Sequence, residues 1–369
     1  MQKPSSENLN GLCRGATSIE NQKFKIIMEP VNTPYFSIII PVYNGLSHDL
    51  PACLDSIWNQ PLDKNLYEVI CVDDCSTDNT RKWLDQEAES HPNLTIIKNE
   101  TNIRQGGGRN KGVKQARGKY ILFIDQDDYY HPGVFLTIYN HLQKNDLEIL
   151  IVDCTYQTPG KERNQLQHNF PYREIMTGDE IIEKNTIPYA PWKFIFLRSL
   201  MVDRNIFFAE NERIEDVDWS HLLVHHANRV QYQPILFIHY NKSNISTTMT
   251  SYKSGETVYS TLRLARRLGE MNDTTFKDSP ENVRRHLSHL EASFYYIGLR
   301  SYFFFYDKVS VKSGNIKKTA ALCPSSKLRH AKRMVRMAVA HPRCFSICTN
   351  ALCPVFRFMM NIYRRVKTQ

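Results

Sequence analysis

From Tyr35 to Asp128 short apolar runs alternate with stretches of helical spacing, the pattern of a parallel sheet covered by helices. Phe36 to Pro41 (FSIIIP) reads as a first buried strand, after which Leu50, Leu54, Ile57 and Trp58 recur at helical spacing. Glu68 to Asp73 predicts a second strand, and the polar run behind it offers Ser76, Thr77 or Asp78 as caps for a helix through Trp83. Leu94 to Ile97 predicts a third strand, Gln105 to Ala116 a helix with a glycine-rich start, and Tyr120 to Ile124 a fourth strand. Runs this uniformly apolar suit strands buried on both faces.

Further along the pattern loosens. Ile149 to Cys154 reads as another strand, residues 156–173 as a polar loop, and Ala190-Pro191-Trp192-Lys193 precedes an apolar stretch to Leu197. Ile206-Phe207-Phe208 then leads into the acidic segment Arg213 to Trp219 (RIEDVDW), where Leu222, Leu223 and His226 continue a helix. From Ser254 the spacing is helical, with Val258, Leu262, Ala265 and Leu268 on one stripe and a longer helix from about Glu281 into the aromatic run Phe294 to Tyr306. The expected organisation is a polar lead-in at 1–34 without an apolar run of signal-peptide length, an α/β domain at 35–250, and a helical region at 251–369. The α/β domain divides into a first half at 35–130 and a second at 131–250.

Composition changes this picture in two places. Nine cysteines without paired spacing fit a reducing compartment better than a disulfide framework, and 41% hydrophobic with 23% charged residues is globular. The net charge of +9 hides an asymmetry: the 62 residues after Asp307 hold 14 Lys or Arg and no Asp or Glu. There Leu328, Ala331, Val335 and Ala338 line one face among Lys327, Arg329, Lys332, Arg333 and Arg336. The longest uncharged run of the tail, Cys344 to Phe356, has thirteen residues, short of the roughly 20 that span a bilayer. A basic amphipathic helix of this kind is expected to lie on an anionic membrane surface; packing against the body and binding RNA are the other readings.

The candidate chemistry gathers at strand ends. In an open parallel sheet ligands bind outside the carboxyl ends of the strands. Here those ends carry Pro41-Val42-Tyr43-Asn44, Asp73-Asp74 and Asp125-Gln126-Asp127-Asp128. Crowded carboxylates repel unless a cation sits among them, and oxygen ligands of this type suit Mg²⁺ or Mn²⁺ carrying a phosphorylated substrate. Tyr43 can stack on a base, Asp74 can accept from a base N–H, and a metal can bridge two phosphates, the equipment for a nucleoside diphosphate. Three glycines at Gly106, Gly107 and Gly108 permit close backbone approach, with Arg104 and Arg109 able to face phosphate. No Gly-Lys-Ser/Thr follows, so this is not a Walker loop, and a G-x-G-x-x-G after the first strand is missing, which argues against a dehydrogenase. A plain solvated acidic turn remains the alternative for the aspartate cluster alone.

FSIIIPVYN, VDDCSTDNT, NIRQGGGRNKG and ILFIDQDD, in this order over about 95 residues, resemble the nucleotide-binding half of family 2 glycosyltransferases. The resemblance implies a Rossmann-like GT-A sheet with helices on both faces, a nucleotide-sugar donor with uridine the first candidate base, and a divalent metal. It places Tyr43 and Asp74 on the base, Asp125 near ribose or sugar, and Asp127 on the metal with Asp128 beside it. Pro41, Asn44, Asp73 and Arg109 join the donor-binding set. The acidic pair Glu215-Asp216 matches the family's acceptor-side acids, with Asp216 as general base; a helix-start role is the alternative, since acids favour helix N-termini. Arg104 stands where the family often has glycine, and Gly108 where it often has alanine.

The expected activity is inverting transfer of a sugar to a hydroxyl of a glycan or lipid-linked acceptor in surface polysaccharide assembly, at the inner face of the membrane and without nucleic acid. A sugar-phosphate nucleotidyltransferase would show a glycine-rich basic loop after the first strand, which Pro41-Val42-Tyr43-Asn44-Gly45 is not. A non-enzymatic membrane- or nucleic-acid-binding protein would leave the converging acids unexplained. His221, His225 and His226 read as ordinary helix residues, Asp218 as a helix-surface acid, and Cys71 and Cys75 as buried small side chains. Lys193 and Trp192 could line the donor phosphates or the acceptor groove, or simply pack.

Overall fold

The computed structural model describes residues 33–158, 161–165, 174–184, 187–241 and 255–305. The basic tail from residue 306 and the lead-in up to residue 32 lie outside the described residues, and with them the expectations placed there.

Four parallel strands form one half of a single mixed sheet. They are β1 (Phe36–Val42), β2 (Tyr67–Asp73), β3 (Leu94–Lys98) and β4 (Tyr120–Phe123), each within two residues of its sequence-predicted span. The other half is β5 (Tyr129–Tyr130), β6 (Ile149–Thr158), β7 (Lys161–Gln165), β8 (Ile175–Met176), β9 (Phe194–Leu197) and β10 (Val230–Asn241). The order is β3-β2-β1-β4-β9-β6-β10-β5, with β7 on β6 and β8 on β10. β9 runs antiparallel to both β4 and β6, so β6 again points the way β4 does.

Two sequence expectations are corrected. Residues 156–173 are not all loop: β6 continues to Thr158 and returns as β7, because alternating polar side chains such as Glu162, Arg163 and Asn164 can sit on an exposed hairpin that hydrophobicity does not reveal. β9 and β10 went unassigned as strands; β9 is a four-residue apolar run, whose period is unreadable at that length.

Helices cover both faces, and their stripes explain which side each takes. α1 (Leu50–Trp58) buries Leu50, Cys53, Leu54 and Ile57, and α4 (Val134–Asn145) buries Val134, Phe135, Ile138 and Leu142; together they pack on the face carrying Ile38, Ile40 and Leu122. α2 (Thr80–Ser90) flanks β3. The opposite face, with Ile39, Ile121 and Phe123, receives α3 (Arg104–Gln115), α5 (Gly178–Lys184), α6 (Arg198–Asp203) and α7 (Asp216–His225). Over them lie α8 (Gly255–Asp273) and α9 (Glu281–Phe305), whose Leu264, Leu268, Val283 and Leu287 enter the same core. α3 can approach β1 only because residue 112 is glycine: a Cβ there would stand 2.4 Å from Ile39 Cγ2. Among the described residues no helix is long and apolar enough to cross a membrane.

Candidate functional site

The carboxyl ends of β1, β2 and β4 meet at one edge, where polar side chains fasten the three following loops together. Tyr43 N–H donates to Gln126 Oε1 at 2.8 Å while Gln126 Nε2 donates to the Tyr43 carbonyl at 2.9 Å, joining the first loop to the aspartate cluster. Asn44 turns through φ +50° and its Oδ1 accepts from Thr77 N–H at 2.8 Å; its own N–H donates to Ser76 Oγ at 2.9 Å. Tyr43 is left 44% exposed, free to stack. Pro41 is buried in β1, with Gly108 of α3 packed against its ring.

The two aspartates at the end of β2 face inward. Asp73 is fully buried, accepting from Arg81 Nε and from Ser76 N–H at 3.3 Å. Asp74 Oδ1 accepts from Asn99 Nδ2 at 2.9 Å and from Ile103 N–H at 2.8 Å, which anchors the loop that enters α3. Cys71 is buried as expected, whereas Cys75 is half-buried at φ +67° with its thiol on the Glu100 carbonyl. Arg104 adopts φ +64°, a left-handed conformation that explains why glycine is common there.

Asp125, Asp127 and Asp128 follow β4. Asp128 is fully buried; its Oδ1 accepts from Asn241 N–H at 2.8 Å and, among the described residues, its Oδ2 has no hydrogen-bond partner. Burial, then the charges of Asp125 and Asp127, pushes the Asp128 carboxyl far up. Asp127 is half-buried and pushed up to about 6, by burial first and then by Asp125. An orphaned buried oxygen among repelling acids fits a hard cation. Among the described residues no three His, Cys, Asp or Glu converge as a complete ligand set. A cation here would therefore take one or two carboxylates and complete its shell with water and diphosphate, the manner of Mg²⁺.

Arg109 joins this edge to the second half of the chain. Expected to face phosphate, its guanidinium instead lies buried, giving Nη2 to Asp125 Oδ1 at 2.7 Å and Nη1 to Glu215 Oε1 at 3.0 Å. It rests over the rings of Phe123 and Phe208 at 5.9 and 5.5 Å, so the aromatic floor holds the cation at the junction. Trp219 stacks on Phe208 and meets Phe123, Phe194 and Phe196 edge-on, which fixes the start of α7. Asn110 clamps the segment before α7 from α3, exchanging two 2.9 Å hydrogen bonds with the Phe208 backbone. Sequence reasoning missed Gln126 and Asn110 as fasteners, although both stand inside the motifs that were singled out.

Glu215 and Asp216 stand at the N-terminus of α7. Burial pushes Glu215 up, Arg109 opposes and Asp216 adds to it; Asp216 is pushed up to about 6 by burial, with Arg109 pulling it back. Glu215 is buried and Asp216 partly exposed, so Asp216 is the one a substrate can reach. Asp218 is not a surface acid: it is buried and held by Arg267 Nε at 2.6 Å, because α8 covers that side of α7. His221 donates or accepts at His286 Nε2 over 3.2 Å, His225 meets Asp179 at 2.6 Å, and His226 bonds the Leu222 carbonyl, so the three histidines turn to separate partners.

The sequence model of Glycosyl transferase family 2 matches residues 37–205, the stretch that holds β1 to β4 and β9. Residues 37–205 belong to glycosyl transferase family 2. Over 117 residues, 31% of this chain, the sequence is 44% identical to a poly(ribitol-phosphate) beta-glucosyltransferase of Bacillus spizizenii, although that match spans only 18% of the relative. The chain likewise spans less than two thirds of the other first curated relatives it matches, 64% in two cases. TarS residues 1–349 of Staphylococcus aureus, solved with UDP-GlcNAc, superpose with a TM-score of 0.61 at 22% identity, covering 87% of this chain and 91% of that one. A mannosyltransferase of Pyrobaculum calidifontis, solved with GDP-Man and Mn²⁺, gives 0.50 at 17% identity, covering 88% of each. The fold is GT-A.

Proposed function

We propose that this chain is an inverting glycosyltransferase that moves a sugar from a nucleoside diphosphate, UDP first, to a hydroxyl of a glycan, polyol-phosphate or lipid-linked acceptor in surface polysaccharide assembly. The observation that carries the reading is Arg109: one buried cation ties the acid at the end of β4 to the acid pair that starts α7, so a donor edge and a candidate base share one crevice. The names of the relatives support the acceptor class, and the ligands solved with the fold neighbours support the donor class.

On this reading Tyr43 stacks on the base and Asp74 fixes the loop beside it. Asp73 and Asn44 work through that loop, since their side chains are engaged within it. Asp127 and Asp128 would hold Mg²⁺ or Mn²⁺, which when bound neutralises charge on the leaving diphosphate. Asp125, oriented by Arg109, faces ribose or sugar. Asp216 takes the proton from the acceptor hydroxyl as its oxygen attacks the anomeric carbon from the face opposite the diphosphate, and Glu215 with Arg109 sets its position and charge. The basic tail would hold the enzyme on the inner membrane face, near a lipid-linked acceptor.

A thermal-shift series with UDP, UDP-glucose, UDP-N-acetylglucosamine and GDP-mannose, with and without Mn²⁺, tests the donor. Stabilisation by at least one of them that grows with Mn²⁺ is expected from mass action. A flat response to all four at millimolar concentration would defeat the reading.

A further inference from the structure

Arg213 has no task in the mechanism above, although it stands three residues before the candidate base. Three residues span at most ~11 Å of backbone, a gap that a polymeric acceptor held at Asp216 can bridge. Both side chains are reachable from solvent, Arg213 exposed and Asp216 partly so, while Ile214 and Glu215 between them turn into the protein. The segment that carries Arg213 is fixed at both ends. Asn110 holds it at Phe208. At the other end Ser260 of α8, fully buried and donating to Glu212 Oε2 at 2.6 Å, accepts from Arg213 N–H at 3.0 Å and from Ile214 N–H at 3.4 Å.

The charges around it are engaged with one another. The arginines of α8 all have acids: Arg263 gives Nε to Glu212 at 2.6 Å, Arg267 gives Nε to Asp218 at 2.6 Å, and Arg266 pairs with Glu270 at 2.7 Å. Glu212, next to Arg213 in sequence, is thus taken by Arg263 and Ser260, and Glu210 meets Asn110 Nδ2 at 3.3 Å. Among the described residues the Arg213 guanidinium has no hydrogen bond or ion pair. An exposed arginine is ordinary by itself. This one differs in that its backbone is pinned beside the candidate base, so less freedom is lost when it binds. Its planar fork of donors matches the oxygens of a phosphate, and a cation at this point offsets the repulsion that the acids of the crevice exert on an anionic acceptor.

We propose that Arg213 binds a phosphodiester of the acceptor beside the hydroxyl that Asp216 deprotonates, which narrows the acceptor to a polyol-phosphate chain and makes Arg213 the residue that selects it. The inference rests on the glycosyl-transfer reading. In a polyol-phosphate chain every hydroxyl lies within a few bonds of a phosphate, so a guanidinium near the base meets an anion whichever unit is presented. A neutral glycan offers the same fork only single hydroxyl oxygens.

Transfer kinetics of the full chain test it, with Mn²⁺ and whichever of UDP-glucose, UDP-N-acetylglucosamine and GDP-mannose stabilises the protein. Poly(ribitol phosphate), poly(glycerol phosphate) and dextran serve as acceptors. The wild-type protein should use at least one phosphate polymer in preference to dextran. Arg213→Gln should raise KM for that polymer roughly tenfold, the scale of a lost charge-assisted hydrogen bond, and leave KM for the donor unchanged. Arg213→Lys should recover part of the loss, and the difference should shrink as salt rises. The basic tail is common to all three proteins, so it cancels from the comparison. An unchanged polymer KM in Arg213→Gln, an equal loss on the donor, or a preference for dextran would overturn the assignment. So would a wild-type protein that is stabilised by a donor yet transfers to neither phosphate polymer. A wild-type protein stabilised by none of the donors would instead bring down the glycosyl-transfer reading, and this assignment with it.

Discussion

Toward the acceptor flank the acids have cations of this chain beside them, Arg109 linking Glu215 to Asp125 at the end of β4 and Arg267 on Asp218, whereas on the donor edge Asp127 and Asp128 face one another's charge and, among the described residues, Asp128 Oδ2 has no hydrogen-bond partner. The first arrangement is complete in the protein alone; the second, on the proposed reading, gains its balance from a ligand. Charge placement of this kind predicts opposite outcomes for substitutions that look alike. Removing a partner on the acceptor flank should destabilise, and removing a charge on the donor edge should stabilise the ligand-free protein.

The largest effect is expected at Arg109. In Arg109→Met, Asp125 and Glu215 lose their shared cation in a buried setting, and breaking such a set costs about 3–5 kcal/mol. Denaturant midpoints should fall accordingly. Arg109→Lys should recover part of the loss, because one ammonium cannot reproduce the fork that reaches both acids. Stability of Arg109→Met within about 1 kcal/mol of wild type would erase the contrast between the two regions.

Asp216 comes next, through rate rather than stability. Asp216→Asn removes the base while the donor edge stays as it is, so transfer should drop by ~10² or more with UDP-sugar affinity near wild type. Its pKa also fixes a pH limb: a base pushed up to about 6 works only when deprotonated, so kcat/KM should rise with pH through that region. The apparent value belongs to the coupled set of Asp216, Glu215 and Arg109. Asp216→Asn should lose the limb and Glu215→Gln should shift it while costing less rate. Wild-type turnover in Asp216→Asn would move the base elsewhere, with Glu215 the next candidate.

Much of this site could be read in the sequence, and the division follows range. Tyr43, Asp74, Asp125, Asp127 and Asp128 sit at ends of apolar runs that announce themselves as strands, so their convergence followed from sheet geometry alone. Arg109 was visible in its motif, yet its direction depended on Glu215, 106 residues away, and on an aromatic floor from Phe123 and Phe208. Asp218 looked like a helix-surface acid because only α8, far along the chain, covers it. Lys193 could be read as lining the donor phosphates or the acceptor groove, or as simply packing, with nothing to decide between them: the run after it is too short to betray a strand, and the antiparallel insertion of β9 beside β4 is what brings it to the edge.

Asp128 tests the other side of the contrast. Its folded pKa is raised, so the native protein holds that proton more tightly than the unfolded chain does, and stability declines as pH rises from the ordinary aspartate range. Asp128→Asn keeps the acceptor for Asn241 N–H and deletes the charge, which should raise metal-free stability near neutral pH by about 1–3 kcal/mol. The same variant should lose the added stabilisation by Mn²⁺ with nucleotide. A lower melting temperature without metal would show that Asp128 is already balanced within the protein.

The smallest effect probes how tightly each flank is packed, using two glycines on α3 two positions apart. A Cβ on Gly106 would stand 2.9 Å from Glu215 Cγ and 3.1 Å from both the Ala209 carbonyl and Phe208 Cβ, so Gly106→Ala must push the acid pair or the clamp that holds it. Overpacking of that order costs about 1–3 kcal/mol and should reduce transfer by shifting Glu215 against Arg109. A Cβ on Gly108 would meet only Pro41 Cβ at 3.4 Å and Val72 beyond it, close to an ordinary contact, and Pro41 belongs to the donor edge. Gly108→Ala therefore gains helix propensity, up to about 1 kcal/mol, less whatever Pro41 must yield. Melting temperatures of the two variants should move in opposite directions, with UDP affinity unchanged in Gly108→Ala. If both fell together, α3 would be equally close-packed against the two flanks, and the acceptor side would have no special claim to a fixed geometry.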